Sequence, residues 1–479
     1  MSRDEILHRY DFTRPSDAWD FAPFRTPGVE PADAGVVLDP APGESVLLNG
    51  GGVHTRNGDR IELRFRPLEP GAGWLRFGFD AEEHEYGRVE INWEAQTLAF
   101  WTSDWRREHP IAKVQLPVTR QDASRTLVIA KSEAGGDLIR NADVTVFLDG
   151  EQILRLEELD MLPEMGVVIE AGGSRVLIEE CCHRGTPSGI PEYLDLGGYQ
   201  VLNIDSIEAN LASIKRGLLL AAEAGTELLV TPEMSLTGLH RGSSQWREPG
   251  PVAAAEAELR RFIRELSDAP FSVVGLPVWN SVAGHERART RFIASRVYDP
   301  DGEIHHTALK VHAAEHDTWH GYRLNEFEIN GVPISLHICH DHRYPQLQTL
   351  PVMFGCRLLL HPSNGGRVGD DVSREEGIAS TATKESHAFY MNLNAGGGSY
   401  IAGPQRGGNL IAVSDEWRRE NPCYPATGKL RECFLQSRIH VHDAFGYWPV
   451  RAFRASESVA RAYAELYREM GGAVRSERV

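Results

Sequence analysis

Pro333-Ile334-Ser335-Leu336-His337-Ile338 is a short run with apolar residues at alternate positions, and it stops at Cys339-His340-Asp341-His342-Arg343-Tyr344-Pro345. The first six residues read as a strand, and the polar stretch closed by proline as the turn that ends it. Two other runs end in the same way. Glu227-Leu228-Leu229-Val230-Thr231 leads through Pro232 to Glu233, and His305-His306-Thr307-Ala308-Leu309 leads to Lys310. Around them, Ser206 caps an expected helix in which Ile207, Leu211, Ile214, Leu218 and Ala222 share a face, closed by Gly225. A second helix is expected over Val252–Leu266 and a strand over Phe271–Leu276. A hairpin should span Phe292 to Lys310, turning at Pro300-Asp301-Gly302, and further strands fall at Leu358–His361 and Ala388–Asn394. Strands alternating with helices predict an α/β layered domain. In such domains the strand ends converge on the crevice where ligands bind.

Upstream the period changes to two. Arg60-Ile61-Glu62-Leu63-Arg64-Phe65-Arg66 alternates strictly, and similar runs follow at Trp74–Phe79, Arg88–Trp93, Thr97–Trp101, Thr126–Ala130, Asp143–Leu148, Gln152–Leu156, Gly166–Glu170 and Arg175–Glu180. Turn formers such as Asp149-Gly150 and Gly172-Gly173 separate them. The fold class expected is therefore α+β multidomain. Residues 1–184 form an antiparallel β-sandwich, 185–197 a linker, 198–450 the α/β domain and 451–479 a C-terminal helical arm. In the arm Val459, Tyr463, Leu466 and Met470 recur at helical spacing.

Length and composition agree. At roughly 100–200 residues per domain, 479 residues suggest two or three domains. The hydrophobic fraction of 41% and charged fraction of 25% are those of globular proteins rather than disordered or fibrous ones. No apolar run approaches the roughly 18 residues of a membrane span, and the acidic start Met1-Ser2-Arg3-Asp4-Glu5 is unlike a secretion signal, so a cytoplasmic location is expected. The net charge of −18 disfavours nucleic acid and anionic membrane as partners. Residues 1–190 carry 33 acidic and 20 basic side chains, against 35 and 30 in the remainder, which supports two bodies of different character. Six cysteines without a C-x-x-C pair do not make a disulfide framework.

Glu233, Lys310 and Cys339, brought to one crevice, would form a complete nucleophilic set. The thiolate attacks an electrophilic carbon, the carboxylate moves its proton, and the ammonium stabilises developing negative charge. Singly, each residue is as easily explained by packing or solvation. A competing pattern overlaps them. His312-Ala313-Ala314-Glu315-His316 spells H-x-x-E-H, and His320 extends the histidines to i, i+4 and i+8, a spacing suited to zinc. Without a distal ligand the motif is weak, and no metal or other cofactor is expected.

These segments resemble the nitrilase, or carbon–nitrogen hydrolase, superfamily. Ile338–Pro345 matches its I-C-x-D-x-R-[FY]-P pattern. Ala224–Glu233 followed by Thr237-Gly238 matches A-G-A-x-L-[LV]-V-x-P-E…T-G, and Lys310-Val311-His312 matches K-x-H, all in family order from about Tyr199 to Tyr447. The resemblance implies an αββα four-layer sandwich. It also implies a triad in which Cys339 is nucleophile, Glu233 general base and Lys310 oxyanion holder, helped by the backbone N–H of His340. Glu315 fits a second glutamate better than Glu326 or Glu328. Departures are Leu309 for the usual arginine, Gln346 for a glutamate, and a short interval of 29 residues from Lys310 to Cys339. Asn364 and Glu385 fall where family members line the pocket, and His240, a further candidate for the lining, opens the loop His240–Gln245 on which pocket size depends.

The function so implied is cysteine-dependent hydrolysis of non-peptide C–N bonds, through a thioester, in a small-molecule amide or carbamoyl amide. Nitrile-cleaving members resemble one another in carrying C-W-E, whereas Cys339-His340-Asp341 tilts the reading to amides. Alternatives are nitrile hydrolysis, acyl transfer to an amine, or a carbohydrate-binding protein on a non-catalytic scaffold. A homo-oligomer is expected by the same resemblance. In the first half, Val144–Arg155, Gly166–Ile169 and Val176–Ile178 resemble a concanavalin-like jelly roll, though a galactose-binding-type sandwich would present the same pattern. Trp74, Trp93, Trp101 and Trp105 offer rings for a glycan, although aromatics fill sandwich cores so commonly that core positions are the expected reading.

Overall fold

A computed structural model of the chain describes residues 5–12, 27–55, 58–69, 71–82, 85–104, 107–116, 123–133, 142–159, 165–185, 190–202, 205–238, 245–282, 285–313, 315, 318–364, 388–404, 410–413, 432–444 and 457–472. It divides into two units, Met1–Ser188 and Gly189–Arg478.

Alternation decides the first unit. In Arg60–Pro67 the side chains of Ile61, Leu63 and Phe65 are fully buried, and the residues between them are at least partly exposed. That strand lies inside an antiparallel sheet ordered Glu151–Leu159, Ala142–Leu148, Arg125–Glu133, Arg60–Pro67, Val176–Gly185, Gly35–Leu38, Val29–Ala32, with Glu5–Asp11 added on Val176–Gly185. A second antiparallel sheet runs Ser45–Thr55, Met165–Gly172, Trp74–Glu82, Glu85–Asn92, Thr97–Asp104, Arg107–Gln115. The two meet through buried side chains. Phe65 and Trp93 lie 6.4 Å apart between ring centroids, and the Lys131 ammonium stands 5.2 Å from the Phe79 ring. Trp93 is thus a core residue. Trp74 and Trp101 instead flank the Arg76 guanidinium at 4.5 and 5.6 Å, and Trp105 lies outside the described residues.

The second unit contains two six-stranded sheets. One is ordered Ile304–Leu309, His285–Tyr298, Phe271–Val282, Leu228–Val230, Tyr193–Gln200, Cys433–His440. The other is ordered Glu326–Ile329, Val332–Leu336, Leu358–Ser363, Phe389–Asn394, Tyr400–Ala402, Leu410–Val413. The three central strands from Tyr193–Gln200 to Phe271–Val282 are parallel, as are those from Val332–Leu336 to Phe389–Asn394. Their runs are buried on both faces, as parallel strands require. One face of each sheet contributes to a shared core, with Leu194, Leu228, Val230, Val273 and Ile293 meeting Ile334, Leu336, Leu358, Leu360 and Met391.

Helices cover the other faces. α1 (Ile207–Glu223) is capped by Ser206, whose hydroxyl accepts the Ala209 N–H at 3.2 Å, and Gly225 just past its end takes φ +68°. With α2 (Pro249–Glu265) it buries Leu211, Ile214, Leu218, Leu259 and Ile263 on the first sheet. α3 (Gln346–Met353) packs Val352 on Leu359, Tyr390 and Tyr400 of the second. α4 (Glu457–Glu469) lies on α3, with Phe354 and Tyr467 stacked at 4.1 Å.

Two boundaries differ from the sequence reading. The stretch 193–197, assigned above to a linker, opens the strand Tyr193–Gln200, because it supplies the residues that pair with both Leu228–Val230 and Cys433–His440. In α4 the buried stripe is Tyr463, Ala464, Tyr467 and Met470, while Leu466 is 37% exposed. The i, i+4 step from Tyr463 to Tyr467 replaces the expected i, i+3 step to Leu466, because the larger ring fills the space beside Phe354. Among the described residues no helix is long and apolar enough to cross a membrane.

Candidate active site

Three strand ends meet. After Leu228–Val230 the chain turns sharply at Glu233 and Met234, the latter at φ +53°. Thr231 donates its hydroxyl to the Val273 carbonyl at 2.9 Å, so the Ser235 hydroxyl donates to Thr231 and accepts the Gly275 N–H at 3.1 Å. This turn lies flush on Gly275. A Cβ there would stand 2.3 Å from the Met234 nitrogen and 2.6 Å from the Pro232 carbonyl oxygen. Lys310 follows Ile304–Leu309 and donates its backbone N–H to the Ile293 carbonyl at 2.9 Å. The Asn325 amide pins Leu309 from both sides, accepting its N–H and donating to its carbonyl.

Cys339 follows Val332–Leu336 and opens a single 3-10 turn, Cys339–Arg343, at φ +47°. A non-glycine residue holds that conformation only where its surroundings impose it, and here two sets of bonds do so. Asp341, fully buried, accepts the backbone N–H groups of Ile338 (3.0 Å), Val311 (3.1 Å) and His312 (2.7 Å), tying the Cys339 turn to the segment after Lys310. The Cys339 carbonyl oxygen accepts from His342 Nδ1 at 2.6 Å and His361 Nε2 at 3.0 Å. Burial holds His361 well below its ordinary pKa, so it is neutral; with Nε2 donating, its Nδ1 accepts from the Tyr390 hydroxyl at 2.8 Å. His337 stacks on His361, and burial drives its pKa down to about 3.

At the centre, Lys310 Nζ donates to Glu233 Oε1 at 2.7 Å and to Glu315 Oε1 at 2.6 Å. Lys310 and Glu233 are 0% and 1% exposed, and Glu315 20%. Glu233 Oε2 accepts the backbone N–H of Asn364 at 3.1 Å, and the Ser363 hydroxyl points at Cys339 Sγ, 3.6 Å away. Burial pushes the Glu233 carboxyl above the ordinary range, although Lys310 and a hydrogen bond from Cys339 pull the other way. Burial works against the Lys310 charge, but Glu233, Cys339 and Glu315 outweigh it and hold its pKa above the ordinary lysine range. Burial, then the negative charge of Glu233, push the Cys339 thiol up to about 12 against the field of Lys310. The resting site is therefore a neutral thiol beside a carboxylate–ammonium–carboxylate cluster. It can accept a proton, supply a sulfur nucleophile and stabilise an oxyanion.

Glu233, Lys310, Cys339 and Glu315 are thus brought together. Asn364 enters through its backbone N–H rather than its side chain. His340 follows the cysteine, half-buried, with its pKa lowered by burial and by Arg343 and Lys310. His240, Glu385 and His316 lie outside the described residues. Glu326 sits in Glu326–Ile329 and accepts from Tyr467 at 2.6 Å, away from the lysine. His320 accepts the Ala313 N–H at 3.2 Å and Glu315 is engaged by Lys310, while the third member of the zinc pattern, His316, is one of the residues not described; among the described residues no group of three His, Cys, Asp or Glu side chains could hold a metal. Asp341, His361 and Tyr390 were missed as supports. Asp341 was visible in the quoted motif, two residues past the cysteine, whereas His361 and Tyr390 come from other strands and leave no local signal.

Residues 199–425 match the family model of carbon–nitrogen hydrolases. Among solved structures the chain is similar to an amidase from Nesterenkonia sp., with 20% identity over 57% of this chain and 98% of that one, at a TM-score of 0.45. It is also similar to a variant of the amidase from Nesterenkonia sp. AN1 carrying the acetamide moiety of fluoroacetamide on its active-site cysteine (21% identity, 58% and 98% covered, TM-score 0.45). A further variant of that amidase in complex with butyramide gives 20% identity, 56% and 96% covered, and a TM-score of 0.44. No curated protein sequence matches the chain.

Proposed function

We propose that the chain, whose residues 199–425 match the carbon–nitrogen hydrolase family model, is an amidase that cleaves small linear amides through a thioester on Cys339. The observation that carries this reading is the buried contact of Lys310 with both Glu233 and Glu315, beside a cysteine held in a left-handed conformation. In the first half-reaction Glu233 takes the thiol proton as sulfur bonds to the amide carbon. The carbonyl oxygen becomes an oxyanion. An ammonium has three N–H donors; two go to the carboxylates, which leaves one for that oxygen, alongside the backbone N–H of His340. The tetrahedral adduct collapses as Glu233 returns its proton to the leaving nitrogen, and ammonia departs. Water, deprotonated by the same carboxylate, then attacks the thioester, and the acid and free thiol are released.

Glu315 keeps Lys310 protonated and fixed, which a lysine buried beside a single carboxylate would do less well. The two-sheet arrangement with helices outside both sheets supports the αββα reading of this unit. The first unit supports a jelly-roll reading through its two facing antiparallel sheets.

The test is intact-protein mass spectrometry of the wild type and Cys339→Ala with a panel of amides, carbamoyl amides and nitriles. An acyl mass on Cys339 accompanied by ammonia release, absent in the variant, is the expected result. If no compound acylates Cys339 and the thiol is no more reactive than a buried cysteine, the reading fails.

A further inference from the structure

A carbonyl oxygen only accepts hydrogen bonds, so the Cys339 carbonyl fixes the tautomer of each ring that meets it. His342 donates to it from Nδ1 at 2.6 Å and His361 from Nε2 at 3.0 Å. Burial keeps His361 neutral, so its Nδ1 carries no proton and accepts the Tyr390 hydroxyl at 2.8 Å. That bond uses the one proton of Tyr390 and leaves its oxygen to accept. His337 Nε2 stands 3.4 Å from that oxygen, a long contact in which the imidazole is the donor. His337 is buried, stacked on His361 with ring centroids 4.9 Å apart, and neutral for the same reason. With its proton on Nε2, His337 Nδ1 is a bare acceptor, and among the described residues it has no partner. The donors therefore all point one way, from His337 through Tyr390 and His361 to the Cys339 carbonyl.

That carbonyl shares a peptide unit with the N–H of His340. The unit is planar and trans, so the oxygen and the N–H move as one rigid group and point in opposite directions. Bonds that hold the oxygen also aim the N–H. They draw electron density toward oxygen as well, which makes the N–H a stronger donor. Among the described residues the His340 N–H meets no acceptor. The His340 ring feels the charges of Lys310 and Glu315, so this residue borders the ammonium.

We propose that His337, Tyr390 and His361 form a positioning relay for the oxyanion, aiming and strengthening the His340 N–H through the Cys339–His340 peptide. This rests on the amidase reading, in which that N–H stands beside Lys310 as a donor to the developing negative oxygen. None of the three touches substrate. They give the buried imidazoles behind the nucleophile a part in stabilising the transition state, besides holding the cysteine's backbone.

The experiment compares two reagents for Cys339 that differ in the oxyanion. Butyraldehyde adds to the thiol: the S–C bond forms, the carbonyl oxygen takes the negative charge, and Glu233 holds the thiol proton. Methyl methanethiosulfonate transfers its methylthio group to the same sulfur, with methanesulfinate leaving and the proton again on Glu233, and no oxygen on carbon becomes charged. An oxyanion-hole donor is worth about 10²–10³ in rate, and a neighbouring hydrogen bond strengthens such a donor by about 10–30%. Tyr390→Phe should therefore lower kcat on a small amide, and affinity for butyraldehyde, by about two- to eightfold, with KM unchanged. His361→Phe removes the bond to the carbonyl itself and should lose more, about tenfold or beyond. His337→Phe, at the long end of the row, should lose less than Tyr390→Phe. Methylthiolation of Tyr390→Phe and His337→Phe should stay within about twofold of the wild type, since sulfur, Glu233 and Lys310 are untouched.

If Tyr390→Phe slows methylthiolation as much as amide turnover, the row only holds the cysteine and the relay is overturned. Equal affinity of Tyr390→Phe and wild type for butyraldehyde overturns it as well, and so does a wild type that binds no aldehyde. Failure of every amide to acylate Cys339 is a separate result. It removes the amidase reading, while the aldehyde comparison decides the relay by itself.

Discussion

Replacing Glu233 by glutamine separates two effects that act in opposite directions. The Cys339 thiol stands at about 12, so at pH 8 only about one molecule in 10⁴ would carry a thiolate without a base. Glu233→Gln removes that base and keeps the shape of the side chain, and Glu315 remains to hold the Lys310 charge. Loss of a general base costs on the order of 10²–10⁴ in rate, and the thiolate fraction sets the same scale independently. The substitution also removes the negative charge that, after burial, does most to raise the thiol. The variant's thiol pKa therefore falls, and its residual reaction runs through the small thiolate population. Carbamidomethylation of Cys339 by iodoacetamide, followed by intact mass from pH 5 to 9, reads both effects. The wild-type rate should be level near neutrality and fall on acidification as Glu233 takes a proton. Because the Glu233 pKa is raised, that acid limb lies above the ordinary glutamate range. The variant should be slower at pH 6 and gain about tenfold per pH unit toward pH 8. A variant that alkylates as fast as the wild type with the same pH profile would refute the assignment of Glu233 as base.

Other perturbations follow from the same geometry. Lys310→Met leaves Glu233 and Glu315 buried without their cation, so turnover should fall by about 10²–10³. The Glu233 pKa should also climb further, seen as an acid limb displaced to higher pH; an unmoved limb would contradict the pairing. Asp341→Asn puts an amide where three backbone N–H groups need an acceptor. It should cost about 3 kcal/mol, read as a lower melting temperature with slower alkylation of Cys339, and an unchanged melt would show that the Asp341 contacts are dispensable. Gly275→Ala drives a methyl into the Glu233 turn. It should reduce acylation at least tenfold through misplacement of the carboxylate, and full activity would mean that the turn is free to shift.

The sequence shows the strands and helices of the second unit wherever local pattern suffices. The Ser206 cap, the Gly225 stop and the Pro300-Asp301-Gly302 turn each act within a few residues, and the structure has them where they are read. The linker edge at Tyr193 is not legible, because those residues become a strand only through partners at Leu228–Val230 and Cys433–His440, far away in the chain. The register of α4 is lost for a related reason. Leu466 and Tyr467 are equally good candidates by spacing, and only Phe354, the residue that follows α3, favours the ring.

The site divides along the same line. Glu233, Lys310 and Cys339 can be picked from the sequence because each stands where an apolar run ends, and strand ends are where a layered domain gathers its chemistry. What holds them has no such mark. A cysteine at φ +47° has nothing in its identity to announce strain, since positive φ is read from sequence mainly where glycine or asparagine stands. The compensation is spread over Asp341, His342, His361 and Tyr390, which come from the turn itself and from two neighbouring strands. His342 and His361 touch the cysteine's carbonyl oxygen, Asp341 the N–H of its neighbour Ile338, and Tyr390 the His361 ring, and none of these bonds is to the sulfur. They are therefore positioning residues, whose loss should lower the acylation rate without moving the pH at which Glu233 titrates. That split distinguishes them from the residues that handle the proton, and it is the reason a reading confined to reactive side chains passes over them.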